Sequence, residues 1–108
     1  MADLFLSYPH ADAARARQIV DALEARGLLI WWDSHLEYGK DFRAGIIRQI
    51  REASCVVVLW SRASLASAYV VAEATEGMEQ GKLLPVLLER NLKLPLGLGP
   101  LSNECHRI

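Results

Sequence analysis

Cysteine is scarce in this sequence: 108 residues hold only Cys55 and Cys105. Two cysteines do not build a disulfide framework. Cys55 lies inside an apolar run and reads as a small buried hydrophobe, so a reducing, cytoplasmic setting is expected. Long apolar stretches are also missing. None approaches the roughly 20 residues a helix needs to cross a bilayer, and Met1-Ala2-Asp3 leads into a strand-like segment rather than a charged-then-apolar leader. Neither sign of charge dominates: 12 Lys and Arg face 13 Asp and Glu, for a net charge of −1. That removes the electrostatic case for nucleic acid or an anionic membrane as a partner. There is no G-x-G-x-x-G after the first strand and no P-loop, so the usual cradle for a tightly held nucleotide is lacking. His10 and His35 are isolated and show no metal-ligand spacing, and no metal is assigned. Repeats and low-complexity segments are absent.

What is present is a compact alternation of apolar strands and amphipathic helices. Hydrophobic residues make up 52% and charged residues 23%, which suits one domain over residues 1–108. Residues 3–8 (DLFLSY) read as a first strand ending at Ser7, followed by a turn at Tyr8-Pro9-His10-Ala11. Asp12 is the expected N-cap of a helix over 13–26, with Ala16, Ile19, Val20 and Leu23 as its buried stripe and Gly27 closing it. A second strand spans 28–32 (LLIWW), and a polar loop spans 33–40 (DSHLEYGK). A helix over 41–53 places Phe42, Ile46 and Ile50 inward. A third strand, 54–60, contains the unbroken run CVVVLW and is apolar on both faces, as a strand covered on both sides must be. A fourth strand covers 83–88, with Pro85 suggesting an edge-proximal place. Residues 89–108 read as a Pro-, Gly- and Leu-rich loop, with Cys105–Ile108 as a short fifth strand. The β-α-β-α-β-α-β pattern argues for a parallel sheet with crossover helices.

The centre of this arrangement is the stretch 61–79 (SRASLASAYVVAEATEGME). A serine-rich turn opens a helix on which Tyr69 and Glu73 stand four residues apart and share a face. Glu73 also borders the apolar stripe Val70, Ala74 and Met78. A carboxylate on the border of a buried face, just past the carboxyl end of a central strand, occupies the place where open α/β sheets bind ligands. Read alone, Glu73 is an ordinary helix glutamate like Glu76 and Glu79, and Tyr69 is a rim residue.

The order of these segments resembles the TIR domain, of the kind common in bacteria, across nearly the whole chain. Asp3–Tyr8 is similar to the family's opening box. Trp32-Asp33, Leu36 and Gly39 resemble its BB loop, and Leu59-Trp60-Ser61 with Ser64 and Ser67 resembles its strand-and-serine turn. Tyr69 and Glu73 resemble the aromatic-x-x-x-Glu pair of the members that cleave NAD+. The aromatic position is usually Trp in those members, and the family's last helix has no counterpart in this sequence. The resemblance implies a flavodoxin-like, three-layer α/β fold with four to five parallel strands in the order 2-1-3-4-5.

It also implies an NAD+ glycohydrolase, active on self-association and working in bacterial immune signalling. Glu73 would be the catalytic carboxylate. Ser7, Tyr8, Pro9, Trp32, Asp33, Ser64 and Tyr69 would be substrate-binding. Ser34, His35, Leu36, Glu37, Tyr38, Gly39 and Lys40 would form the loop that completes a neighbouring subunit's site. NAD+ would be a consumed substrate and no cofactor is implied. The expected partners are other TIR domains and an attached or associated sensor domain. The residues alone keep other readings open: turn and N-cap roles for Ser64 and Ser67, ring packing for Trp32, an ordinary turn at Ser7-Tyr8-Pro9, and a non-catalytic TIR–TIR module for the whole domain. A receiver domain fits poorly, because the third strand ends in Trp60-Ser61 and not in a phospho-accepting Asp.

Overall fold

The computed structural model describes residues 3–32, 40–95 and 97–99, with the backbone alone at 40–44. Its central strand, β3 (Cys55–Trp60), is buried at every position. Alternation along the strand sends Val56, Val58 and Trp60 into one core, with Phe5, Ile46, Ile50, Val70 and Ala74. It sends Cys55, Val57 and Leu59 into a second core, with Leu4, Leu6, Ala16 and Val20. The run of apolar residues is therefore required: each face of β3 has its own layer to meet.

β1 (Leu4–Ser7) and β4 (Leu83–Leu87) pair with β3, and β2 (Ile30–Trp32) pairs with β1. All four strands are parallel, in the order β2-β1-β3-β4. This is the flavodoxin-like order expected from the sequence. The expected fifth strand and the loop at 33–39 lie outside the described residues. Helix α1 (Ala13–Glu24) covers one face through Ala16 and Val20. Helices α2 (Lys40–Glu52) and α4 (Ala68–Glu79) cover the other. A short helix, α3 (Arg62–Leu65), links β3 to α4.

Helix α4 is fixed at both ends. The Ser67 side chain accepts a hydrogen bond from the Val70 amide at its start. At its end Gly81 takes φ of 71°, and the amides of Gly81 and Lys82 donate to the carbonyls of Met78 and Gly77. Lys82 itself is buried, and its Nζ donates to the carbonyls of Arg51 (2.9 Å) and Ala53 (2.7 Å), closing the end of α2.

Several expectations change. Asp12 does not cap α1. It ends a 3-10 turn, His10–Asp12, and makes no capping bond. Its buried carboxylate instead accepts from Ser61 Oγ at 2.5 Å, tying the β1–α1 connection to the end of β3. The serine-rich stretch is a short helix with its own capping box, Ser61 with Ser64, and not a simple turn. Lys40 starts α2 instead of ending the loop. Met78 is 37% exposed, and Gly77 takes its place on the buried stripe. A Cβ at Gly77 would stand 2.9 Å from Val56 Cβ, so α4 sits closer to β3 than any side chain there would allow. Cys55 is wholly buried, as expected, but its sulfur is disulfide-bonded. Among the described residues no helix is long and apolar enough to cross a membrane.

Candidate active site

The site follows from the alternation of β1. Leu4 and Leu6 point toward α1, so Phe5 and Ser7 point toward α2 and α4. Ser7, the last residue of the strand, thus presents its hydroxyl to the helix layer. Glu73, in the second turn of α4, presents its carboxylate to the sheet. The two meet: Ser7 Oγ donates to Glu73 Oε1 at 2.6 Å, across 66 residues of sequence. Ser7 is completely buried and Glu73 is 5% exposed. The distance falls within the about 2.5–2.7 Å typical of a hydroxyl bonded to an ionised oxygen. Such a charge-assisted bond is worth about 1.5–3 kcal/mol net. Ser7 is one of the partners of Glu73, which makes a further interaction.

Glu73 borders a cleft of about 270 Å³ between α2 and α4. Ile46, Ile47 and Ile50 form the α2 wall, and Tyr69, Ala72, Glu73 and Glu76 line the other side. Positions 69, 72, 73 and 76 form one stripe of a helix. Tyr69 stands at the rim, 48% exposed. The cleft thus combines an apolar wall, an aromatic rim and a sheltered carboxylate, the make-up of a small-ligand site.

The other expected site residues are distributed unevenly. Ser7, Tyr69 and Glu73 are brought together. Tyr8 is buried on the α1 side of the sheet, the face opposite Ser7, and its ring lies 6.3 Å from that of Trp32. Trp32 packs there too, with the Arg17 guanidinium 5.6 Å above its ring. Pro9 is extended and buried, and its carbonyl accepts from the Asp12 amide. Ser64 is buried, with its hydroxyl donated to the Leu59 carbonyl and a second contact to Ser61, so it builds the loop and does not line the cleft. Asp33, Ser34, His35, Leu36, Glu37, Tyr38 and Gly39 lie outside the described residues.

Two residues on the cleft's side of the sheet were not singled out from the sequence. Trp31, not Trp32, shares the face of Ser7, stacked on Phe5 at 5.0 Å and 9°. Parallel pairing of Phe5 with Trp31 is the signal that identifies it. Glu76 lines the cleft itself, and its i+3 spacing from Glu73 already placed it on the same stripe.

The TIR-domain family model matches residues 4–105. The TIR domain of the Toll-related receptor TRR-2 from Hydra magnipapillata is similar in structure, with a TM-score of 0.75 at 19% identity over 91% of this chain and 78% of that one. A metazoan TIR-STING receptor from C. gigas in complex with 2',3'-cGAMP gives a TM-score of 0.75 at 28% identity, over 94% of this chain and 34% of that one. The TIR domains of the activated Roq1 resistosome, which directly recognizes the pathogen effector XopQ, give 0.67 at 23% over 81% and 57%. At 19% and 23% identity the Hydra and Roq1 likenesses speak to the fold alone. This chain spans about a third of the TIR-STING receptor and little more than half of the Roq1 chain. None of the curated proteins matches it.

Proposed function

The chain belongs to the TIR-domain family, and on that premise we propose that it is an NAD+ glycohydrolase with Glu73 as its catalytic carboxylate. One observation carries this reading: a 95%-sheltered glutamate, held by a strand-end serine, opens onto a cleft beside an aromatic ring. The chemistry needs little else. As the bond between nicotinamide and ribose breaks, its electron pair stays with the ring, which leaves as neutral nicotinamide without a general acid. Positive charge develops on the ribose, and a fixed carboxylate beside it stabilises that charge. This is the one-carboxylate counterpart of glycosidase logic. Water then adds to C1′ and releases a proton, giving ADP-ribose; attack by the adenine of the same molecule gives a cyclic product instead.

The size of the cleft bears on assembly. About 270 Å³ lies just below the roughly 300–1,000 Å³ of sites that enclose a small molecule. It accommodates the nicotinamide–ribose end and leaves the rest of the dinucleotide outside. Family members self-associate, and a neighbouring copy, through residues 33–40, would cover that remainder. The proposed setting is immune signalling, with a sensor domain driving assembly. The test is nicotinamide release from NAD+ by purified protein, dilute and with self-association forced. Release that rises more steeply than protein concentration supports the reading. No release from assembled protein would favour a non-catalytic TIR–TIR module.

A further inference from the structure

We propose that Glu76 is a specificity residue of the cleft: it binds the cationic pyridinium ring of the substrate and releases the neutral nicotinamide product. This rests on the reading of the cleft as a pyridinium-nucleotide site. Glu76 lines the cleft one helical turn beyond Glu73, on the side away from Tyr69. Three residues of helix advance about 4.5 Å, roughly the reach from the anomeric carbon of a ribose to the far edge of its attached ring. The side chain is held in place, since Gln80 Nε2 donates to Glu76 Oε1 at 2.8 Å. Among the described residues nothing bonds Oε2, which leaves one oxygen of an oriented carboxylate for the cleft. The facing wall of Ile46, Ile47 and Ile50 offers that oxygen no partner. An aromatic cation between an isoleucine wall and a carboxylate satisfies both sides.

The charge balance separates the two glutamates. In the bound substrate the positive charge is on the ring, beside Glu76. In the transition state it moves to the ribose, beside Glu73. Glu76 therefore stabilises the ground state at least as well as the transition state. Losing it raises KM and leaves kcat unchanged or higher. Losing Glu73 lowers kcat.

The test uses 1-methylnicotinamide, a cation with no sugar bond to cleave, and nicotinamide, its neutral counterpart. Binding of each to wild type, Glu76→Gln and Gln80→Ala is measured by ligand-observed NMR, and NAD+ turnover is followed on the same samples. Wild type is expected to prefer the cation. Glu76→Gln should reduce that preference by about three- to fivefold, the scale of one half-exposed charge pair, with nicotinamide affinity unchanged. Gln80→Ala keeps the charge and should keep most of the preference. An unchanged preference in Glu76→Gln, an equal loss in Gln80→Ala, or no binding of the cation to wild type at millimolar concentration overturns the assignment. A cation preference without NAD+ turnover, even with self-association forced, would sink the glycohydrolase reading and leave the role of Glu76 standing. Turnover with an unchanged KM in Glu76→Gln would sink the role of Glu76 alone.

Discussion

Replacing Ser7 by Ala removes one oxygen and tests whether the serine holds the acid. Both partners are sheltered and 2.6 Å apart, so water does not replace the lost donor. The expected loss is about 1.5–3 kcal/mol, the range for hydrogen bonds to charged groups. For a domain of this size, a loss of 2 kcal/mol lowers Tm by about 8–16 °C. Loss of stability alone would not identify the partner, so the assay is a double-mutant cycle in urea with Ser7→Ala, Glu73→Ala and the pair. A coupling energy above about 1 kcal/mol is expected. Removing Glu73 also removes the group that Ser7 satisfies, so the second substitution should cost less than the first. Ser7→Thr keeps the hydroxyl on a strand that favours β-branched residues, and it should recover most of the stability. In the same series, nicotinamide release should fall in Ser7→Ala and return in Ser7→Thr. Coupling below about 0.5 kcal/mol, the level of independent sites, would refute the claim that Ser7 positions Glu73.

Two further predictions concern the frame of the site. Gly77→Ala places a Cβ 2.9 Å from Val56 Cβ; the gain in helix propensity is about 1 kcal/mol, but overpacking of about 1–3 kcal/mol should dominate. Urea melts should show net destabilisation that Val56→Ala relieves. Lys82→Met removes both carbonyl bonds at the end of α2 and should cost about 2–3 kcal/mol in urea melts, while the Ser7–Glu73 coupling persists.

The fold was legible because its signals are local and repeated. The apolar run of β3, the helical stripes and the glycines that end helices each carry their own period. Glu73 was legible through its spacing from Tyr69 and its place after the central strand. Its burial could not be read, because Glu73, Glu76 and Glu79 look alike until α4 docks and Gly77 fixes how close it comes to β3. Asp12 misled for a similar reason. Its position favours a cap, but Ser61, distant in sequence, offers a buried donor and takes the carboxylate. Trp31 and Trp32 are adjacent in a three-residue strand covered on both faces, so composition does not say which faces the cleft. Register with β1 decides it.

The most direct measurement compares nicotinamide release by wild type and Glu73→Gln under forced self-association. Glutamine keeps an acceptor for Ser7 but gives up the charge assistance, so the unfolding midpoint should fall less than in Ser7→Ala. The rate should fall by about 10²–10³, the usual effect of losing one electrostatic contact to a transition state. A folded Glu73→Gln protein that releases nicotinamide at the wild-type rate would contradict the account.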